Sequence, residues 1–293
     1  MAAVGPDLYA GFSRLPLQGE AWDLGHGVRL RPVFAHLFAH FMMAFAPAEP
    51  GKPHPGPWSA TRGGIAHDIT AELFVPAEST APLGSPDAIA RAIAFTLRLG
   101  VDPAASLSII SNRPFEASAQ TSSSDTWLYP LEAEERRFRL ATSGEPFNAA
   151  AASWVTERWP VALRFMSQSS EFALAVDALN TGQYVHRSAL TIMALWAALE
   201  ALFSPSTSEL RFRVSAHIAA YLEPPGPKRH ARAKEVAKLY DRRSSAAHGG
   251  SKHDDADVLA SFNLVREVLT KMLDDKHIPT KDELERGLYA AGA

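Results

Sequence analysis

Apolar and polar positions follow two different rhythms along this chain. From residue 65 to 75 one parity holds Ile65, His67, Ile69, Ala71, Leu73 and Val75, and the other holds Ala66, Asp68, Thr70, Glu72 and Phe74. That period of two predicts a strand with one buried face. Shorter strand-like runs stand at 106–111 and 127–131. Ser85, Pro86 and Asp87 supply a capping hydroxyl, a first-turn proline and a first-turn acid, and so predict a helix over 88–99. Phe34, Leu37, Phe38, Phe41 and Phe45 keep helical spacing, which predicts a helix over 33–46. Residues 46–64 (APAEPGKPHPGPWSATRGG) and the serine-rich stretch 118–125 read as loops.

After residue 148 the rhythm becomes helical, with predicted helices at 149–166, 169–180, 184–203, 209–222, 229–247, 255–274 and 280–290. Val258, Phe262, Val265, Leu269 and Met272 form the clearest stripe, in 4-3-4-3 spacing over four turns. Helix 184–203 (YVHRSALTIMALWAALEALF) is apolar nearly all round, as in the central helix of a bundle. Sixteen of the 21 prolines lie at or before Pro160, and 12 of the 18 glycines fall in residues 1–160, so the two parts are built differently. The expected class is α+β: a mixed N-terminal region, 1–148, followed by an all-α bundle, 149–293.

At 293 residues, with 46% hydrophobic and 21% charged residues, the chain has the composition of a globular protein and is long enough for a sizeable core. It contains no cysteine, so disulfides, thiolate metal sites and a cysteine nucleophile are excluded. The first 18 residues lack the basic and apolar regions of a secretory signal, and the longest apolar-rich run, 33–46, is shorter than the roughly 20 residues a bilayer helix needs. A cytoplasmic protein without a membrane segment is expected. Its net charge of −3 does not advertise a nucleic-acid partner, so only local charge could serve one.

One carboxylate is out of place. Glu200 follows Trp196 by four residues and precedes Phe203 by three, on a face that is otherwise greasy. An ionised group there costs several kcal/mol unless paired. Helix 229–247 offers a partner, because Val236, Tyr240, Arg243 and Ala247 fall within about 60° of each other at 100° per residue, whereas Arg242 points about 100° away toward solvent. An Arg243–Glu200 pair is expected, and a bridge that merely staples two helices would carry the same pattern. The chain then reads RSSAAHGG, with His248 five residues after Arg243 and two glycines to stop the helix. Residues 228–252 hold eight Lys or Arg against Glu235 and Asp241, a local net of +6, which would suit a phosphodiester or simply make a solvated face.

These residues resemble a family. The order WAALEALF (196–203), LRFRVSAHIAAYL (210–222), KEVAKLYDRRSSAAHGG (234–250) and a further amphipathic helix looks like the HEPN superfamily, specifically its Apea-like branch, over residues 165–275. The resemblance implies a four- to five-helix bundle, usually a homodimer, whose Arg and His form a metal-independent endoribonuclease site using no cofactor. His248 would move protons at the ribose 2′-hydroxyl and the leaving 5′-oxygen. Arg243 would neutralise charge on the phosphoryl oxygens, and Glu200 would orient it. Arg242, Ser244, Lys252 and His253 would contact the RNA. Ser244 stands where many active members carry Asn, His or Asp, and the superfamily also includes non-catalytic members that bind nucleotides or dimerise. Ribonuclease, in defence or stress response, and non-catalytic binding module are therefore both open.

A third chemistry, zinc held by His36 and His40 at helical i,i+4 spacing, lacks a third ligand in the sequence. His217 could face the site or be a packed core histidine. Gly25 and Gly27 lack the third glycine of a dinucleotide fingerprint, and no phosphate-binding P-loop or GxSxG is present.

Overall fold

A computed structural model describes residues 6–120, 125–132, 145–204, 209–247 and 255–289. The chain is α+β. Its N-terminal part contains β1 (Leu8–Ser13), β2 (Trp22–Asp23), β3 (Arg29–Ala44), β4 (Trp58–Val75), α1 (Ala77–Thr80), α2 (Pro86–Gly100), β5 (Ser106–Ser111), α3 (Phe115–Gln120) and β6 (Leu128–Pro130). These strands make one antiparallel sheet in the order β2-β3-β4-β1-β5-β6. The strand predicted at 65–75 and the helix at 88–99 fall inside β4 and α2, 106–111 coincides with β5, and 127–131 overlaps the shorter β6. The start of α2 follows its sequence signal, with Ser85 Oγ accepting from Ala88 N at 3.3 Å.

The helix expected over 33–46 is a strand. Aromatic and aliphatic residues fill nearly every position there, so the helical spacing of the phenylalanines is matched equally well by a strand that is apolar on both faces. Pairing with β4 decides, from Arg29↔Phe74 to Ala44↔Trp58, with irregularities at Pro32/Ala35 and His40/Met42. Val33, Ala35 and Leu37 turn inward against Ile69, Ile109 and Phe115, and Phe34, His36 and Phe38 face outward. Residues 58–64, expected as loop, are the start of β4; Gly63 and Gly64, at φ 112° and 154°, take up the irregularity there.

One face of the sheet is closed by α2, whose Ile89, Ile93 and Leu97 pack on Phe12, Leu30 and Leu73. The other face is covered at its centre by Phe115 of α3. Gly11 of β1 lies under that cover, where an added Cβ would stand 2.7 Å from Ile109 Cγ2 and 2.9 Å from Ile69 Cγ2. The expectation of a single buried face on β4 is corrected at Glu72. It is 1% exposed, meets Arg31 at 2.8 Å and accepts from Phe115 N at 2.8 Å.

The helical part comprises α4 (Ala149–Gln168), α5 (Ser170–Thr181), α6 (Ser188–Phe203), α7 (Leu210–Leu222), α8 (Pro227–Ala247), α9 (Asp255–Asp275) and α10 (Lys281–Tyr289). Each lies within about four residues of its expected bounds, because each carries its own apolar stripe and several carry caps. Asn148, for example, accepts from Ala150 N and Ala151 N at 3.0 and 3.1 Å. Ile192, Leu195, Trp196, Leu199 and Phe203 of α6 sit at the centre of the core, against Phe172, Val214, Val236, Phe262 and Val265 from the surrounding helices. The stripe of α9 is buried throughout. Yet α6 is not enclosed all round: Leu190 is 55% and Met193 37% exposed, and Ala194 and Ala197 continue that open face. Helix α4 contributes Trp159 to the sheet core and Phe165 to the helical core, so one helix borders both.

Candidate functional site where α6 meets α8

Two rows of side chains face each other across α6 and α8. Trp196 and Glu200 are four apart on one helix, Tyr240 and Arg243 three apart on the other, so each pair occupies a single face. Trp196 meets Tyr240 edge to face at a centroid distance of 5.2 Å, and its Nε1 donates to Ser261 Oγ of α9 at 3.2 Å. One turn further on, Arg243 Nη2 lies 3.1 Å from Glu200 Oε1 and donates to Oε2 at 3.3 Å. The two side chains are 26% and 17% exposed, so the pair stands at the rim of the core rather than within it. The Arg243 guanidinium also lies 5.5 Å from the centroid of the Tyr240 ring. Burial, and then the Glu200 charge, push the Tyr240 phenol above its ordinary value, with Arg243 opposing.

The pair is incompletely satisfied. Arg243 Nε and Glu200 Oε1 are buried and have no hydrogen-bond partner among the described residues. Arg243 is therefore oriented by one carboxylate while part of its donor fork remains uncommitted.

The other expected positions divide in two. Arg242 points outward as its helical phase requires, 66% exposed and 3.7 Å from Asp257 Oδ1. Ser244 is partly buried in the last turns of α8. His248, Lys252 and His253, with the glycines that would stop the helix, lie outside the described residues.

Counting charges along 228–252 overstates what α8 offers a polyanion. Arg232 pairs with Glu235 at 2.7 Å and also with Glu267, Arg229 donates to the carbonyls of Glu223 and Gly287 at 2.9 Å each, and Arg242 and Arg243 face Asp257 and Glu200. Asp241 is itself gripped by both prongs of Arg211 at 2.6 and 2.8 Å, which holds its carboxyl below the usual range. Lys228, Lys234 and Lys238 are exposed and form no ion pair with a described residue. Acids distant in sequence face three of these four arginines, and a linear count misses them.

The remaining histidines are placed differently. His217 is fully buried, with Nδ1 2.9 Å from the Phe203 carbonyl oxygen and Nε2 unpartnered among the described residues. It borders a cavity of about 300 Å³ beside Tyr221, Asp275, His277 and Glu283. His36 is on β3, its Nδ1 2.7 Å from Asp68 Oδ1. Its separation from His40 is four strand residues, about 13 Å at about 3.3 Å per residue, so the helical geometry on which a zinc pair rested does not exist. No group of three or more His, Cys, Asp or Glu suited to a metal ion occurs among the described residues.

A second buried charge escaped the sequence reading. Arg98 is 2% exposed and joins the sheet region to the bundle, donating to the Ala105 carbonyl and Asn180 Oδ1 at 2.9 Å each and pairing with Glu132. The rule that singled out Glu200, a charge flanked by apolar residues, applies equally to Leu97-Arg98-Leu99. The Arg98 partners Glu132 and Asn180 line a cavity with Tyr184, and Arg98 directs Nε, Nη1 and Nη2 each to a protein group that ties elements together.

Comparison of the chain with protein-family models, curated proteins and solved structures finds no match. No helix among the described residues is long and apolar enough to cross a membrane.

Proposed function

We propose that the chain is a metal-independent endoribonuclease of HEPN type, acting in the cytoplasm as a homodimer, and that Arg243 and His248 carry the reaction. The observation that supports this reading is the Glu200-held Arg243, whose side chain is 26% exposed and stands five residues before a histidine. His248 takes the proton of the ribose 2′-hydroxyl, or returns one to the leaving 5′-oxygen, near neutral pH. The 2′-oxygen attacks the adjacent phosphorus and the bond to the 5′-oxygen breaks, leaving a 2′,3′-cyclic phosphate. Arg243 offsets the charge that builds on the phosphoryl oxygens, and Glu200 positions Arg243 without touching the substrate. The open face of α6, with Leu190, Met193, Ala194 and Ala197, supports coverage by a second bundle. A role in defence or stress response belongs to the same resemblance.

The second reading is a non-catalytic HEPN module that binds RNA or nucleotide or mediates assembly. The pairing of Arg232 with Glu267 and of Arg242 with Asp257 favours its assembly form, because cations committed to protein acids are withdrawn from a polyanionic ligand.

Purified protein incubated with structured and unstructured RNA in EDTA separates the two. The enzyme reading expects cleavage leaving cyclic phosphates, absent in His248→Ala and in Arg243→Ala while both variants melt like the parent. RNA left intact by folded parent protein, or cleaved equally by His248→Ala, refutes it.

A further inference from the structure

Glu200 alone holds Arg243 loosely. The Nη2 atom approaches the two carboxylate oxygens at 3.1 and 3.3 Å, longer than the roughly 2.7–2.9 Å of a tight charge-assisted bond. The Nε atom is buried and finds no acceptor among the described residues. Arginine has a long stem with many rotamers, so one carboxylate at this distance does not fix the plane of the guanidinium.

Tyr240 supplies a second hold. It precedes Arg243 by three residues, so the two side chains share one face of α8. Arg243 Cζ lies over its ring, 5.5 Å from the centroid, within the about 6 Å over which a cation and an aromatic face attract. The ring is itself fixed, being 7% exposed and meeting Trp196 edge to face at 5.2 Å and 83°. Trp196 in turn donates Nε1 to Ser261 Oγ at 3.2 Å, and Ser261 donates to the Asp257 carbonyl at 3.0 Å. A line of contacts thus runs from α9 through α6 and Tyr240 to the guanidinium, and Trp196 and Ser261 within it are fully or almost fully buried. The Tyr240 hydroxyl acts on the other partner. Burial, and then the neighbouring Glu200 charge, hold the phenol above its ordinary value, so the oxygen keeps its proton and with it the ability to donate to the carboxylate. Tyr240 therefore bears on both members of the pair, whereas packing against Trp196 alone would not require an aromatic face beneath a cation.

We infer that Tyr240 is a positioning residue of the site, its ring and the Glu200 carboxylate together fixing the plane of the Arg243 guanidinium. The consequence for RNA cleavage rests on the ribonuclease reading above; the ordering of Arg243 does not.

Two readouts separate these consequences. Exchange of the Arg243 Nε hydrogen with water is followed by proton–nitrogen NMR in the full chain, the signal being identified by its loss in Arg243→Lys. Tyr240→Leu is expected to speed that exchange about tenfold or more, and Tyr240→Phe, which keeps the ring, to stay within about threefold of the parent. Phe172→Leu, a core change in α5 away from this face, should lower the melting temperature without moving the exchange. In RNA cleavage in EDTA, Tyr240→Leu should lower kcat about tenfold with KM within about twofold, and Tyr240→Phe should recover most of the loss. A folded Tyr240→Leu with the parent's exchange rate, a Tyr240→Phe that exchanges as fast as Tyr240→Leu, a Phe172→Leu that moves the exchange equally, or an active Tyr240→Leu with the parent's kcat would overturn the inference. A parent that cleaves no RNA refutes the enzyme reading alone, and the exchange series then decides the role of Tyr240. If Tyr240→Leu does not fold, Tyr240→Met, which fills the space without a ring, takes its place.

Discussion

Removing the Glu200 carboxylate tests the α6–α8 junction most directly. Breaking a fully buried ion pair costs about 3–5 kcal/mol because the surviving charge is stranded. An exposed pair contributes only about 0.2–1 kcal/mol. At 17% and 26% exposure, Glu200 and Arg243 lie between these limits, and the partial access of Arg243 lets water reach it once Glu200 is gone. Glu200→Ala is therefore expected to cost about 2 kcal/mol, less than a deep-core pair would. Part of that loss is packing of the side-chain stem, so the pairwise term needs a double-mutant cycle with Arg243→Met, which keeps much of the arginine stem. Urea unfolding followed by tryptophan fluorescence is a suitable assay, since Trp196 lies one turn from Glu200. A coupling of about 1–2 kcal/mol is expected. A value below about 0.5 kcal/mol, the scatter seen for independent sites, would refute the argument that the pair holds Arg243 in place.

Two further predictions concern the frame around the site. Gly11→Ala puts a Cβ against Ile109, Ile69 and Phe115 at 2.7 to 3.0 Å and should destabilise by about 1–3 kcal/mol, whereas Gly287→Ala, in α10 with nothing within 4 Å, should stabilise by about 0.5–1 kcal/mol; equal midpoints in urea for the two variants would show that the sheet opens to admit a methyl group. Glu283 accepts from Thr280 N at 2.7 Å, His277 Nε2 at 2.9 Å and Thr280 Oγ1 at 2.9 Å, and these contacts hold its carboxyl down to about 2 from an ordinary 4.5. Because the folded value is the lower, its stabilisation is complete above about pH 4.5 and disappears as the pH falls toward 2. Glu283→Gln should flatten that part of the stability profile, and a carboxyl resonance titrating near 4.5 in the parent would contradict the cap.

How much could be read ahead of the structure depended on whether the deciding contacts were local. The helices from α4 to α10 were legible because each carries a stripe and its stop signals within its own length, as the α9 residues Val258, Phe262, Val265, Leu269 and Met272 show. The juxtaposition of Glu200 and Arg243 was legible for a similar reason: helical phase places each side chain, and a charge in apolar surroundings requires a partner. The same logic was available for Arg98 but needed knowledge that α2 is covered on more than one side. For β3 the local pattern was ambiguous, since Phe34 and Phe38 suit a helix stripe and a strand face alike, and the answer came from residues about 30 positions away in β4.

The sequence by itself determined the α+β class, the helical order of the second half and the exclusion of cysteine chemistry, all consequences of periodicity and composition. Tertiary structure alone decided that 29–44 is a strand, that Glu72 is buried, that Glu267 and Asp257 face two arginines of the basic run, and that Phe34 and Phe38 of β3 are left exposed. The physical reason is common to these cases. Helical hydrogen bonds and stripes close within a few residues, whereas strand pairing, burial of the second face and charge compensation depend on groups that only folding brings together.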